Sequence, residues 1–206
     1  MPLLRLENAT CERDSEPLFR PIDIELSPGE WLLLEGANGI GKSTLLRAIV
    51  GLHPLHASAI AFDGVDALRD RTPLIAQTRW LGHALAQKRD LSVQDNVRYA
   101  LGIAGHTPPD DLVERCAEVG LDGYEDAPIR TLSAGQKKRA ALLTLIAVPA
   151  RLWLLDEPYA NLDKLGVALV QRLLDAHRQA GGAAIVASHG DAHFGEPSAR
   201  LLLSPP

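Results

Sequence analysis

The sequence predicts an α/β fold: a mostly parallel central sheet, an N-terminal antiparallel β subdomain and a helical lobe inserted into the core. Three observations predict it. First, Trp31-Leu32-Leu33-Leu34-Glu35, Leu152-Trp153-Leu154-Leu155-Asp156 and Ala183-Ala184-Ile185-Val186-Ala187 are continuous apolar runs. Strands of a parallel sheet are covered on both faces and have this character. Second, Leu4 and Leu6, then Ile22, Ile24 and Leu26, alternate with polar residues, as half-buried antiparallel strands do. Third, from about residue 80 to 148 the spacing turns helical, with Val93, Val97, Ala100 and Leu101, then Leu112, Val113, Cys116 and Val119.

The remaining elements follow in order. Ser27-Pro28-Gly29-Glu30 is a turn into the 31–35 strand. Residues 45–50 form an apolar helix closed by Gly51. Residues 53–58 are a loop, and Ala59-Ile60-Ala61-Phe62 a strand that turns at Asp63-Gly64. The short run Leu74-Ile75-Ala76 predicts the next strand. Residues 102–111, with Pro108-Pro109, form a loop between helices. Residues 162–180 are helical and stop at Gly181-Gly182, and Leu201-Leu202-Leu203 is a terminal strand. There is no repeat, low-complexity tract or linker. The expectation is one domain over residues 1–206, with the lobe at about 80–148.

At 206 residues and 46% hydrophobic, the chain can bury a sizeable core, and with only 4% aromatics that core must be aliphatic. A net charge of −5 argues against nucleic-acid binding driven by the whole surface. Cys11 and Cys116 are far apart, have no metal spacing and read as free thiols of a reducing compartment. The first seven residues are too short and too charged for a secretory signal. Residues 140–148, the longest weakly polar run, fall well short of the roughly 20 needed to span a bilayer. The chain is expected to be soluble, with any membrane role exercised through a partner.

Chemistry concentrates in Gly36-Ala37-Asn38-Gly39-Ile40-Gly41-Lys42-Ser43-Thr44, which fits G-x-x-x-x-G-K-[ST] between a strand and a helix. Glycines let the backbone turn successive N–H groups toward one anion, and the helix N-terminus adds its partial positive charge. Lys42 is expected to reach the β/γ-phosphates of a nucleoside triphosphate, and the Ser43 hydroxyl to ligate Mg²⁺.

Asp156-Glu157-Pro158 ends an apolar strand. Alone it would read as a solvated acidic turn. Behind a phosphate-binding loop it suits a Mg²⁺ site at Asp156 and a general base at Glu157, aimed at the water attacking the γ-phosphate. Leu132-Ser133-Ala134-Gly135-Gln136 precedes Lys137-Lys138-Arg139 and a helix to Val148. Ser133 can cap that helix. Basic residues at a helix start oppose its dipole, which is easier to understand if phosphate docks nearby. Ser188-His189 follows the third buried strand, where His189 can donate to a γ-phosphate oxygen. Asn161-Leu162-Asp163 marks a helix start that can contact a partner subunit.

The ordered set of residues 36–44, 132–136, 152–157, 160–163 and Ser188-His189 resembles the ATP-binding-cassette ATPases over nearly the whole chain. The resemblance implies the cassette fold on a P-loop nucleotide-hydrolase core, with ATP and Mg²⁺ as ligands. It also implies a head-to-tail homodimer, in which each ATP lies between one subunit's phosphate loop and the other's signature motif. Ser133, Gly135 and Gln136 would then serve the opposite subunit's nucleotide, with Asp163 at the same interface, and Lys42, Glu157 and His189 would be catalytic.

The chain departs from that pattern twice. No aromatic residue stands at Cys11-Glu12-Arg13-Asp14, where the family stacks one on adenine. Arg13 is the expected substitute, because a planar guanidinium also stacks. In Trp80-Leu81-Gly82-His83, His83 takes the place of the family's Gln, and Gln77 lies too early. Together with Lys88 and Leu91-Ser92-x-x-Asp95-Asn96, these features resemble the ATP-binding subunits of the heme exporters of cytochrome c maturation. That narrower resemblance implies a membrane-spanning, CcmB-like permease as partner, no nucleic acid, and a peripheral place on the cytoplasmic face of the bacterial inner membrane. No residue pair here forms a heme site, so the transport path is expected to lie in the partner.

Overall fold

The computed structural model describes residues 1–188 and 195–206. In chain order the elements are β1 (Leu4–Ala9), β2 (Glu12–Arg13), β3 (Glu16–Pro17), β4 (Ile22–Leu26), β5 (Trp31–Glu35), α1 (Lys42–Ile49), β6 (Ala59–Phe62) and β7 (Val65–Asp66). Then follow α2 (Thr72–Ala76), β8 (Thr78–Leu81), α3 (Val93–Ile103), α4 (Leu112–Glu118), α5 (Ala134–Ala147), β9 (Leu152–Asp156), α6 (Lys164–Gln179), β10 (Ala183–Ala187) and β11 (Ala199–Leu202). They fall into two units. The first comprises Met1–Trp80, Ala150–Pro158 and Leu174–Pro206, the second Leu81–Pro149 and Tyr159–Leu173.

In the first unit a five-stranded sheet runs in the order β11-β5-β10-β9-β8, and β11, β5, β10 and β9 are mutually parallel. All residues of β9 and β10 are buried, as their apolar runs require. The register sets Ala187 beside both Leu34 and Asp156. The loops that leave β5 and β9 therefore emerge together at the carboxyl edge of the sheet, the edge where α/β sheets bind ligands. A second sheet, β4-β1-β6-β7, is antiparallel. Its β6–β7 hairpin turns through Asp63 and Gly64, both at positive φ as a primed two-residue turn requires. The core is mostly aliphatic; among the described residues its buried aromatics are Phe19, Trp31, Phe62 and Trp153.

One expected strand is not one. Leu74-Ile75-Ala76 lies in α2, and the strand is β8, four residues later. Pro73 stands in the first turn of α2, where its fixed φ starts a helix and its missing N–H costs nothing. The terminal strand covers Ala199–Leu202 and excludes Leu203.

In the second unit α3 and α4 both pack against α5. Ser92 caps α3 by accepting the Asp95 N–H. Asn96 ties down the preceding loop: its Oδ1 accepts the Lys88 N–H at 2.7 Å and its Nδ2 donates to the Ser92 carbonyl at 2.8 Å. Cys11 and Cys116 are both free and buried, and burial pushes each thiol up to about 11. Neither is a nucleophile at neutral pH.

Candidate active site

The loop after β5 is shaped by its glycines. Gly36, Gly39 and Gly41 have φ of 145°, 79° and 116°, conformations an L side chain rarely adopts. A Cβ on Gly36 would also lie 3.1 Å from the Leu203 carbonyl, and one on Gly41 3.0 Å from the Phe19 ring. Gly41 leads directly into α1, whose first residue is Lys42. The Lys42 ammonium folds back to donate to the carbonyls of Gly36 at 2.6 Å and Ala37 at 3.2 Å. Burial lowers its pKa, while Glu157 and then Asp156 oppose that shift. Their charges favour its protonated form.

Arg13, Gly39, Gly41, Lys42, Ser43 and Thr44 line an open cavity of about 250 Å³ together with Arg47, Asp156 and Glu157. Asp156 is buried at the end of β9, and its Oδ2 has no hydrogen-bond partner among the described residues. A carboxylate oxygen buried in that way is costly unless a cation or water reaches it. Asp156 and the Ser43 hydroxyl are hard oxygen donors in one cavity, so the residues present fit Mg²⁺. Glu157 follows at φ 49° and donates its N–H to the Ala187 carbonyl at 2.9 Å. A left-handed conformation at a non-glycine residue stores strain, which the β9–β10 pairing holds.

Ala37 and Asn38 are exposed in the loop, and Ile40 packs its side chain toward the core. His83 is exposed in the second unit, two residues beyond β8. His189 lies outside the described residues. In the second unit Ser133 and Gln136 form a reciprocal cap at the start of α5. Gln136 N–H donates to Ser133 Oγ at 3.2 Å, and Ser133 N–H to Gln136 Oε1 at 2.9 Å. Gly135 packs under the loop before α6: a Cβ there would be 3.3 Å from the Asn161 carbonyl. Asp163 caps α6, its Oδ1 accepting the Gly166 N–H at 2.7 Å.

In the basic run after Gln136, two of the three side chains turn away from solvent. Lys138 is 4% exposed, and Arg139 donates to the Val119 carbonyl and to Asp163. Arg47 is a cavity residue that the motif does not announce. It stands four residues after Ser43, on the same face of α1, and its guanidinium lies 5.6 Å from the Trp80 ring centroid. Helical spacing from Ser43 was the available signal.

The sequence profile described as "ABC transporter" matches residues 19–160. The chain therefore belongs to the ABC transporter family, as an ATP-binding subunit of the kind that couples ATP hydrolysis to transport. Within that family it is similar to proteins named "Cytochrome c biogenesis ATP-binding export protein CcmA". The one from Xanthomonas axonopodis pv. citri (strain 306) is 47% identical over 190 residues, covering 92% of this chain and 87% of the relative. That from Vibrio cholerae serotype O1 is 38% identical over 201 residues, 97% of each chain. Among solved structures, a putative ABC transporter ATP-binding protein from Pyrococcus furiosus superposes with a TM-score of 0.83 at 21% identity, over 97% of this chain and 96% of that one. That likeness concerns the fold.

Proposed function

We propose that this chain is the ATP-hydrolysing subunit of an exporter that serves cytochrome c biogenesis, with heme as the species whose delivery it drives. The catalytic half of this reading rests on the cavity at the carboxyl edge of the sheet, where Lys42, Ser43, Asp156 and Glu157 meet. The biogenesis half rests on relatives bearing that name at 38–47% identity over nearly the full chain.

Each residue has a role the geometry supports. The loop N–H groups and Lys42 neutralise the β/γ-phosphates, with Lys42 exchanging its carbonyl partners for phosphate oxygens. Asp156 and Ser43 hold Mg²⁺, which when bound neutralises charge on the β/γ-phosphates. Glu157 accepts the proton of the attacking water, and its fixed backbone keeps the carboxylate aimed into the cavity. Thr44 and Arg47 bound the cavity along α1, and Arg13 bounds it from the β2–β3 ribbon, where it stacks on adenine. Ser133, Gly135 and Asp163 act on the nucleotide of a second copy, head to tail.

Among the described residues no helix is long and apolar enough to cross a membrane. The reading places the chain on the cytoplasmic face of the inner membrane, held there by a CcmB-like permease. The test is replacement of the chain by its Lys42→Ala variant in a cell that makes c-type cytochromes. Loss of covalently bound heme in those cytochromes, together with co-purification of a multispan membrane protein, is the expected result. Normal cytochrome c assembly would overturn the biogenesis half and leave the catalytic half to the hydrolysis assays below.

A further inference from the structure

The Arg139 guanidinium joins three pieces of the second unit. Its Nη1 donates to the Val119 carbonyl at 2.8 Å, at the C-terminal end of α4, and its Nη2 to Asp163 Oδ1 at 3.2 Å. Only 17% of the Arg139 side chain is exposed, against 68% for Asp163. Gly120 leaves it room, because a Cβ there would fall 2.8 Å from Nη1. The same Asp163 oxygen caps α6, and six residues before Arg139 the reciprocal Ser133–Gln136 cap begins α5. Arg172 adds a second tie from α6, donating to the Glu118 carbonyl at 3.2 Å. Between these contacts Gly135 lies against the Asn161 carbonyl.

We propose that Arg139 is a positioning residue for ATP hydrolysis: it locks the turn bearing Ser133 and Gly135 to the loop bearing Asn161 and Asp163, so that the two are presented as one surface to the nucleotide of a second copy of this chain. A planar fork can bridge a carbonyl and a carboxylate at once, whereas an ammonium is a point charge and holds one of them well. Released from Asp163, the signature turn and the loop before α6 would move independently, and a misplacement near 1 Å at reacting groups can cost on the order of 10²-fold in rate. The inference rests on the head-to-tail reading.

The test is complementation between subunits, read as steady-state ATP turnover with ATP affinity measured alongside. Arg139→Ala is expected to lose turnover on the order of 10²-fold with ATP affinity unchanged, and Arg139→Lys to fall in between. Mixed with Lys42→Ala, Arg139→Ala should regain activity, because one site then combines an intact phosphate loop with an intact signature surface. Mixed with Ser133→Ala it should regain none. A fall in ATP affinity, recovery with the Ser133 variant, or unchanged turnover would each overturn the proposal. If Arg139→Ala does not fold, Arg139→Lys is put through the same two mixtures, with the same outcomes deciding. Ser133→Ala mixed with Lys42→Ala is the control. Its failure refutes the head-to-tail reading and this inference with it. Its success beside failure of the Arg139 mixture refutes only the role of Arg139.

Discussion

In the loop at residues 36–44 three glycines stand at positive φ, while in the turn at residues 132–136 Gly135 does not. The two also treat their polar atoms differently. In the first unit Lys42 spans the loop carbonyls and Asp156 keeps a buried carboxylate oxygen without a partner among the described residues. In the second unit Ser133 and Gln136 satisfy each other, and Asp163 is used by Gly166 and Arg139. One region is strained and electrostatically incomplete, which is how a site built to take a charged ligand looks. The other is a self-satisfied helix start whose contribution is the shape it presents. Changes in the first should act on binding and chemistry within one subunit. Changes in the second should leave binding alone and act only in the assembly.

The largest effect that can break this division is at Glu157. Glu157→Gln keeps size and removes basicity, so turnover should fall by roughly 10²–10⁴-fold with ATP affinity nearly unchanged. Hydrolysis and calorimetry on one preparation decide it, and near-normal hydrolysis would remove Glu157 from the role of base. Lys42→Ala comes next. A charge-assisted hydrogen bond contributes about 1.5–3 kcal/mol, so ATP affinity should fall about 10- to 150-fold. Unchanged binding would dismantle the phosphate-loop assignment.

Ser133→Ala sharpens the contrast from the other side. It removes an N-cap and should cost about 0.5–2 kcal/mol of stability. ATP affinity should stay at the wild-type value while turnover is lost. Weakened ATP binding in an isolated subunit would mean that the signature turn serves its own nucleotide.

The same contrast explains what could be read before the structure. The phosphate loop was legible because its determinants lie in nine consecutive residues, and the buried strands because their apolar runs are unbroken. The signature cap was legible from Ser133 alone, but the fate of the basic run was not. Arg139 and Asp163 are 24 residues apart, and no local pattern says that a guanidinium will turn inward. The α2 error has the opposite cause. A three-residue apolar run carries no period, and Pro73 was the only cue.

A smaller effect tests the edge of the first region. Arg13 lines the cavity from an exposed two-stranded ribbon. Exposed stacking of a cation on a ring is worth about 0.5–1 kcal/mol, so Arg13→Ala should weaken ATP binding a few-fold and Arg13→Tyr should largely restore it. A nucleotide-bound structure with Arg13 turned from the base would end the assignment.

The smallest effect concerns the first unit away from its cavity. His177 stacks on Trp153, with ring centroids 3.8 Å apart and planes at 6°, and its Nε2 lies 3.2 Å from the Ala183 carbonyl. Ala183 and Leu152 pair at the amino edge of the sheet, opposite the edge that bears Asp156. Burial lowers the His177 pKa, and the carbonyls of Ala183 and Arg151 only partly offset this. The folded state therefore favours the neutral ring more than the unfolded chain does. The resulting stability is present above the unfolded value near ~6.5 and is lost as the pH falls below it toward the folded value. His177→Phe keeps the stack and does not titrate. Between about pH 7.5 and 5.5, the range in which histidine changes charge, the wild-type melting midpoint should therefore fall further than that of His177→Phe. The scale is about 2–4 °C for each kcal/mol in a chain of this size. Turnover at a temperature where both proteins stay folded should differ little between them, because His177 acts on the opposite edge of the sheet from the chemistry. Parallel melting curves across that range would show that the ring is neutral or charged alike in both states. A variant whose turnover tracked the pH difference would instead show that the two edges communicate.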